Sequence, residues 1–262
     1  MSRGTGRTWP PAGSGWRTSP GERAAAGRGG RRRPPRPAAC VPAGAAGRGR
    51  PVGAVEVELK YLVPDAATAA RLAAVARLAG YEVGPGEPRH DRDLFLDTAD
   101  RRLLRAGWYL RRREQAGGVT LTLKGAAPAA ALPGGVTPAA VAREEVSVAV
   151  DPAAPPTALP PGPLAERVAA LSGGRPLAPL AELRQERLAR PLRRDGREVA
   201  ELSLDTVEVP AAGGRPGRRW REVEVELREG GEVADLAALD AELRGRWGLR
   251  PVPAAKVARA LA

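Results

Sequence analysis

Residues 55–60 read Val-Glu-Val-Glu-Leu-Lys, VEVELK, an unbroken alternation of apolar and charged side chains. In an extended strand successive side chains point to opposite faces, so Glu56, Glu58 and Lys60 share one face and Val55, Val57 and Leu59 the other. Such a face is either turned to water or built into a binding site. The other strands of the chain decide between the two.

Five further segments keep the same period of two. Arg111 and Arg113 share a face in residues 110–113, and Thr120, Thr122 and Lys124 oppose Leu121 and Leu123. Arg143, Glu145 and Ser147 oppose Val146, Val148 and Val150, while Glu201, Ser203 and Asp205 oppose Leu202 and Leu204. In residues 221–227, Glu222, Glu224 and Glu226 oppose Val223, Val225 and Leu227. The signs are segregated by strand, acids on 56–58 and 222–226, bases on 111–113 and 124, whereas a surface tuned only for solubility mixes them. Closing the sheet with its charged face inward makes a tunnel with acidic and basic walls. Carboxylate oxygens there suit a divalent cation, and Arg and Lys suit a polyanion, so the constellation asks for a triphosphate.

Turn chemistry supports a closed or strongly curved antiparallel sheet. Gly117-Gly118 and Asp195-Gly196 read as hairpin turns, and residues 143–150 read as a further strand after a loop rich in Ala, Pro and Gly. Helices are expected over 66–78, capped by Asp65 and ended by Gly80, and over 164–171, 233–247 and 253–262. Many short strands with tight turns point to a barrel rather than a parallel α/β fold.

Of the formal net charge of +12, nearly all belongs to residues 1–50, which hold eleven arginines against Glu22 alone. This Gly-, Pro-, Ala- and Arg-rich stretch has no apolar period to offset its ordering entropy, so 1–52 is expected to be a disordered tail and 53–262 the folded domain. The tail either contacts nucleic acid or an acidic membrane nonspecifically or is a non-functional extension, and the second reading is favoured. It lacks the apolar core of a signal peptide, no segment is long and apolar enough to span a bilayer, and a cytoplasmic protein is expected.

Cys40 is the one cysteine and His90 the one histidine. An intrachain disulfide is therefore excluded, and a His-ligated zinc or a Ser-His-Asp triad is disfavoured. His90 is read as a surface loop residue. Any chemistry must rest on carboxylates, Arg, Lys and an oxygen-preferring metal such as Mg²⁺ or Mn²⁺.

Taken in order, these motifs resemble the CYTH, or triphosphate tunnel metalloenzyme, superfamily. Residues 56–60 match its ExExK signature, DLFLDT its Asp-Thr turn, LRRR its LRxR and TLTLK its TxK strand. Arg143 with Glu145 matches RxE, and Arg187, Asp205, EVEVEL and Lys256 follow at the expected places over about residues 53–262. Two departures are visible: Arg184 and Arg187 are three apart and cannot share a face, which favours Arg187, and Glu222 is less well supported than Glu224 and Glu226.

The resemblance implies an α+β fold, an eight-stranded antiparallel β tunnel barrel with flanking helices, and metal-dependent hydrolysis of a triphosphate, with inorganic triphosphate first among substrates. It implies Glu56, Glu58, Asp205, Glu224 and Glu226 as ligands of Mg²⁺ or Mn²⁺. Lys60, Arg111, Arg113, Lys124, Arg143, Arg187 and Lys256 would hold the phosphates, with Glu58, Lys60 and Arg113 nearest the chemistry. A class IV type adenylyl cyclase and a noncatalytic polyphosphate or nucleotide sensor are the alternatives.

Overall fold

The computed structural model describes residues 54–126, 139–211, 214, 216–252 and 254–262; the tail reading falls outside them. In chain order the elements are β1 (Ala54–Val63), α1 (Ala66–Ala74), β2 (Arg77–Leu78), β3 (Tyr81–Val83), β4 (Glu87–Thr98), α2 (Arg102–Arg105), β5 (Trp108–Gln115) and β6 (Gly118–Ala126). They continue as β7 (Ala140–Val150), α3 (Pro163–Ser172), β8 (Leu177–Arg194), β9 (Arg197–Val209), β10 (Arg218–Leu227), α4 (Val233–Gly245), β11 (Arg250–Pro251) and α5 (Lys256–Leu261).

Eight of the strands pair edge to edge in the order β8-β4-β5-β6-β7-β1-β10-β9, and β9 pairs back onto β8. The result is a closed antiparallel barrel with no free edge in the ring. Two register shifts, at Phe95/Leu96 between β4 and β8 and at Leu192/Arg193 between β8 and β9, sit on the longest strands, where a bulge bends the sheet. The β8–β9 turn is Asp195-Gly196 with φ of 53° and 78°, both left-handed, as a two-residue hairpin with the natural strand twist requires.

The barrel is turned inside out relative to a small apolar one: the charged faces point in and the apolar faces out. Helices must therefore cover the outside. Leu59, Tyr61 and Val63 of β1, with Val223 and Val225 of β10, are buried with Leu72 of α1 and Leu236, Leu239 and Leu243 of α4. Leu96, Leu110, Leu121 and Leu123 are buried with Leu164 and Val168 of α3. Each such Leu contributes about 1.5–3 kcal/mol through removal from water. α5 makes a third cluster: Val257 and Ala260 pack on Phe95, Leu183 and Val207, whose strand positions place them on the inward face. One end of the interior is thus apolar and covered by α5.

Three helices are shorter than the sequence suggests, α4 among them, which ends at Gly245. Asp65 does cap α1, accepting from Thr68 N at 2.7 Å, but the helix stops at Ala74 because Val75 is extended and Arg77–Leu78 pairs with β3 around Ala79 and Gly80. Likewise α5 begins at Lys256, the preceding Ala255 being extended. His90 lies exposed on β4, on a strand rather than in a loop. No helix among the described residues is long and apolar enough to cross a membrane.

Candidate functional site

The barrel encloses a cavity of about 390 Å³. Its walls follow from register. β1 and β10 are neighbours with Lys60 opposite Glu224 and Glu58 opposite Glu226, and β10 meets β9 with Glu222 opposite Asp205. Across the cavity, Tyr109 and Arg111 of β5 pair with Lys124 and Thr122 of β6, and Lys124 pairs with Glu145 of β7. Arg187 enters from β8 opposite Asp205, and Lys256 reaches in from α5.

Glu224 is the centre of the ion-pair network. One of its oxygens accepts from Lys60 at 2.5 Å and Lys256 at 2.6 Å, the other from Arg187 at 2.6 Å. Burial alone would raise its pKa, but these three cations overcome it and hold the carboxyl well below its usual range. Arg187 also forks onto Asp205 with two bonds of 2.7 Å. The Lys256 ammonium touches Asp205, Glu222 and Glu224 at 2.9, 2.7 and 2.6 Å. Despite burial, which would lower it, these acids raise the Lys256 pKa.

Asp205, Glu222 and Glu224 each offer an oxygen within 4.8 Å of the others. A set of buried carboxylate oxygens without nitrogen or sulfur fits a hard divalent cation of the Mg²⁺ or Mn²⁺ type. In the structure the Lys256 ammonium touches all three members of that triad, with Lys60 and Arg187 adding positive charge beside it.

The acids of β1 are held less evenly. Glu56 is bonded to Lys124, which also lies 2.9 Å from Glu145. Among the described residues, the cations paired with Glu58 are Lys60 at 3.9 Å and Arg143 at 3.7 Å. Burial, with Glu224 and Glu56 close by, pushes its carboxyl up to about 7. Glu58 is therefore the carboxylate with most to gain from an incoming cation.

Arg113 is more committed than its motif implies. It forks onto Asp93 at 2.6 and 2.7 Å and lies 2.7 Å from Asp91 Oδ2, while Gln115 donates to the other oxygen of Asp91 and Gln185 donates to Asp93 Oδ2, which it shares with Arg113. Asp93 is fully buried, and Arg111 lies 3.7 Å from it. Two N–H groups of Arg113 are thus bonded to Asp93 and a third nitrogen is ion-paired with Asp91, which makes its removal a problem of folding as much as of binding. Arg113→Ala is expected to cost about 3–5 kcal/mol because it strands buried charge, measured as a fall in the denaturant midpoint. Unchanged stability would show that another cation takes over both acids.

Set against the sequence reading, Glu56, Glu58, Lys60, Arg111, Arg113, Lys124, Arg187, Glu224, Glu226 and Lys256 all line the cavity. Arg143 and Asp205 are buried against it through Glu58 and Arg187. Arg184 is exposed on the outer face, as its spacing from Arg187 requires. Glu226 lies apart from the triad, paired with Arg228 at 2.7 Å, whereas Glu222, which the motif comparison ranked below it, is buried inside the triad. Asp91, Asp93, Tyr109 and Arg228 were not anticipated as parts of the site. The alternation of Asp91, Asp93 and Phe95 was the available signal, blurred by the apolar third member. A second groove of about 430 Å³, on the outer face, includes His90, Arg92, Arg184 and Glu186; its Arg92 is paired with Glu114 and Glu182.

Comparison with known proteins bears on this geometry. The family model described as the CYTH domain matches residues 54–260. A solved structure from Hippeastrum, described as an adenylyl cyclase candidate with a dominant triphosphatase activity, aligns with a TM-score of 0.58 at 21% identity over 79% of this chain and 95% of that one. One from Bacillus halodurans, described as an adenylate cyclase candidate, aligns with a TM-score of 0.53 at 19% identity over 79% and 97%. At such identities the likeness is one of fold. Among curated proteins no sequence match was found.

Proposed function

Because the chain belongs to the CYTH domain family, we propose that it is a metal-dependent triphosphate hydrolase acting inside the charged barrel, with inorganic triphosphate as substrate. The observation that carries this reading is the interleaving of acids and bases around one cavity. Lys60, Lys124, Arg187 and Lys256 are each held by carboxylates that they can exchange for phosphoryl oxygens. The carboxylates so released have the oxygens a divalent cation needs.

Asp205, Glu222 and Glu224, with Glu56, Glu58 and Glu226 nearby, would hold Mg²⁺ or Mn²⁺, which when bound supplies charge neutralisation and polarisation of a phosphoryl oxygen. Lys60, Arg187 and Lys256 grip the phosphoryl group next to that acidic wall. Arg111, Lys124 and Arg143 grip the remainder of the chain on the opposite wall, and Arg113 stiffens that wall through Asp91 and Asp93. Water attacks a terminal phosphorus in line; a P–O bond to water forms as the bridging P–O bond breaks, giving orthophosphate and pyrophosphate. The cations are already in place where charge accumulates on the leaving pyrophosphate, so little reorganisation is needed.

A cyclase would also need a seat for a nucleobase and ribose. The aromatic residues lining the cavity are Phe95 and Tyr109. Phe95 is buried under α5, and Tyr109 is paired with Phe95 at 6.0 Å between ring centres and with the Arg143 guanidinium at 5.5 Å. This favours hydrolysis of a compact triphosphate. The test is phosphate release by the full chain from inorganic triphosphate, thiamine triphosphate and ATP under Mg²⁺, Mn²⁺ and chelator. Metal-dependent release, fastest with inorganic triphosphate, is the expected result. Conversion of ATP to a cyclic nucleotide would establish the cyclase, and binding of triphosphate without turnover would establish the sensor.

A further inference from the structure

The chain has three tyrosines, and they are used differently. Tyr61 donates its hydroxyl proton to Asp240 at 2.5 Å and Tyr81 donates to Asp235 at 2.7 Å, fastening β1 of the barrel and the flanking β3 to α4. Tyr109 instead accepts, from Arg143 Nη1 at 2.7 Å, and no acceptor for its own proton occurs among the described residues. Its side chain lines the cavity, directly opposite Lys124 in the β5–β6 register and two residues from Arg111 on the same strand face.

A phenol that receives a bond from a guanidinium is polarised toward donating, and an ionic donor on its oxygen directs its O–H away from Arg143. Here that proton stands among cations whose carboxylate partners are already assigned, with nothing to receive it. An anionic oxygen brought next to Tyr109 Oη would receive that proton, with the Arg143 guanidinium and the Lys124 ammonium close by to neutralise its charge. We propose that Tyr109 Oη is a substrate-binding donor which, with Arg143 and Lys124, forms a subsite for one phosphoryl group of the triphosphate. This rests on the hydrolase reading and assigns that site a neutral hydrogen-bond donor beside its charged ones. The Tyr109 ring, wedged between Phe95 and Arg143, is the positioning part, and the hydroxyl is the recognising part.

Tyr109→Phe removes the hydroxyl and leaves the ring contacts with Phe95 and Arg143. A lost hydrogen bond to a charged acceptor corresponds to about tenfold or more in affinity. Triphosphate binding is measured by calorimetry in chelator for the full chain and for Tyr109→Phe, together with the near-ultraviolet tyrosine difference spectrum on triphosphate addition. The expected results are about tenfold weaker binding by the variant and a spectrum seen with the parent chain but absent from the variant. With metal present, KM should rise while kcat stays nearly constant, since the bond is made in ground state and transition state alike. Equal affinities, or triphosphate binding by the parent chain with no tyrosine signal, would overturn the subsite. Failure of the parent chain to bind triphosphate both in chelator and with Mg²⁺ or Mn²⁺ present would instead overturn the hydrolase reading.

Discussion

Glu58→Gln is expected to lower metal-dependent phosphate release by about a hundredfold or more while making the protein more stable at pH 8. Loss of activity follows if Glu58 is a cation ligand: the amide keeps the shape but removes the negative charge, and several kcal/mol of transition-state stabilisation depend on a correctly held ion. The gain in stability follows from burial. An unfolded chain gives up this proton near 4.5, whereas the folded protein keeps it up to about 7, because burial and then Glu224 and Glu56 disfavour the charge more than Lys60 relieves it.

Below pH 4.5 the carboxyl is neutral in both states and contributes no difference. As pH rises from 4.5 to 7 the folded state binds more protons than the unfolded, so stability falls through that window, and above 7 the full penalty remains. Glutamine carries no such penalty. The variant's thermal midpoint should exceed that of the parent by a few degrees at pH 8, the difference closing toward pH 5. Scanning calorimetry in chelator at the two pH values measures it. A variant less stable than its parent at pH 8 would mean that Glu58 is a structural ion-pair member, held by Lys60 and Arg143 more firmly than 3.9 and 3.7 Å imply.

Much of this arrangement was legible in the sequence because a period of two needs no tertiary knowledge. The charged faces of β1, β5, β6, β7, β9 and β10 all turn inward as alternation demands. What alternation cannot give is depth. Glu222, Glu224 and Glu226 share a face, yet which of them meets Asp205 depends on the β9–β10 register, where Glu222 lies opposite Asp205 and Glu226 opposite Glu201. Motif comparison favoured Glu226 over Glu222, and the fold places Glu222 in the triad. Asp91 and Asp93 were missed for a related reason. Their strand continues inward with Phe95, so its face reads as mixed until Leu183, Val207 and α5 are seen to build an apolar end beside it. The Tyr109 hydroxyl is visible only once β7 brings Arg143 to it.

The same register explains how so many buried charges coexist with a stable barrel. Burying one ion is costly and removing its partner costlier still, so the interior holds together only as a set of exchanges. Each acid named at the cavity has at least one cation within 4 Å, and several cations are shared between acids. Such a network is strongest when empty of ligand, and a triphosphate with its metal must replace it pair for pair. A metal without a triphosphate, or a triphosphate without a metal, leaves one wall uncompensated. Binding of the two is therefore expected to be mutually reinforcing, which bears directly on the residue that joins both walls.

Lys256→Met is expected to show the largest change in metal behaviour. The ammonium stands at the Asp205, Glu222 and Glu224 triad, where a divalent cation would compete with it, and α5 carries it. Methionine keeps the apolar stem but leaves the triad with the nearby Lys60 and Arg187. Without metal the variant should lose about 3–5 kcal/mol as the carboxylates repel one another. Mn²⁺ should then bind it more tightly than it binds the parent chain when triphosphate is absent, and should restore its thermal midpoint by mass action. Triphosphate affinity and turnover should both fall, because the cation that would follow the substrate's phosphates is gone. Mn²⁺ titration followed by electron paramagnetic resonance, with and without triphosphate, separates these effects. If Mn²⁺ affinity of the triphosphate-free protein were unchanged or weaker, the triad would not be the cation's seat, and Glu56 and Glu58 would remain as the acidic pair able to hold it. If affinity rose but turnover survived, Lys256 would be a resting-state counter-ion and not a phosphate ligand. Tighter Mn²⁺ binding with lost turnover is the outcome that ties the resting contacts of Lys256 to both halves of the reaction.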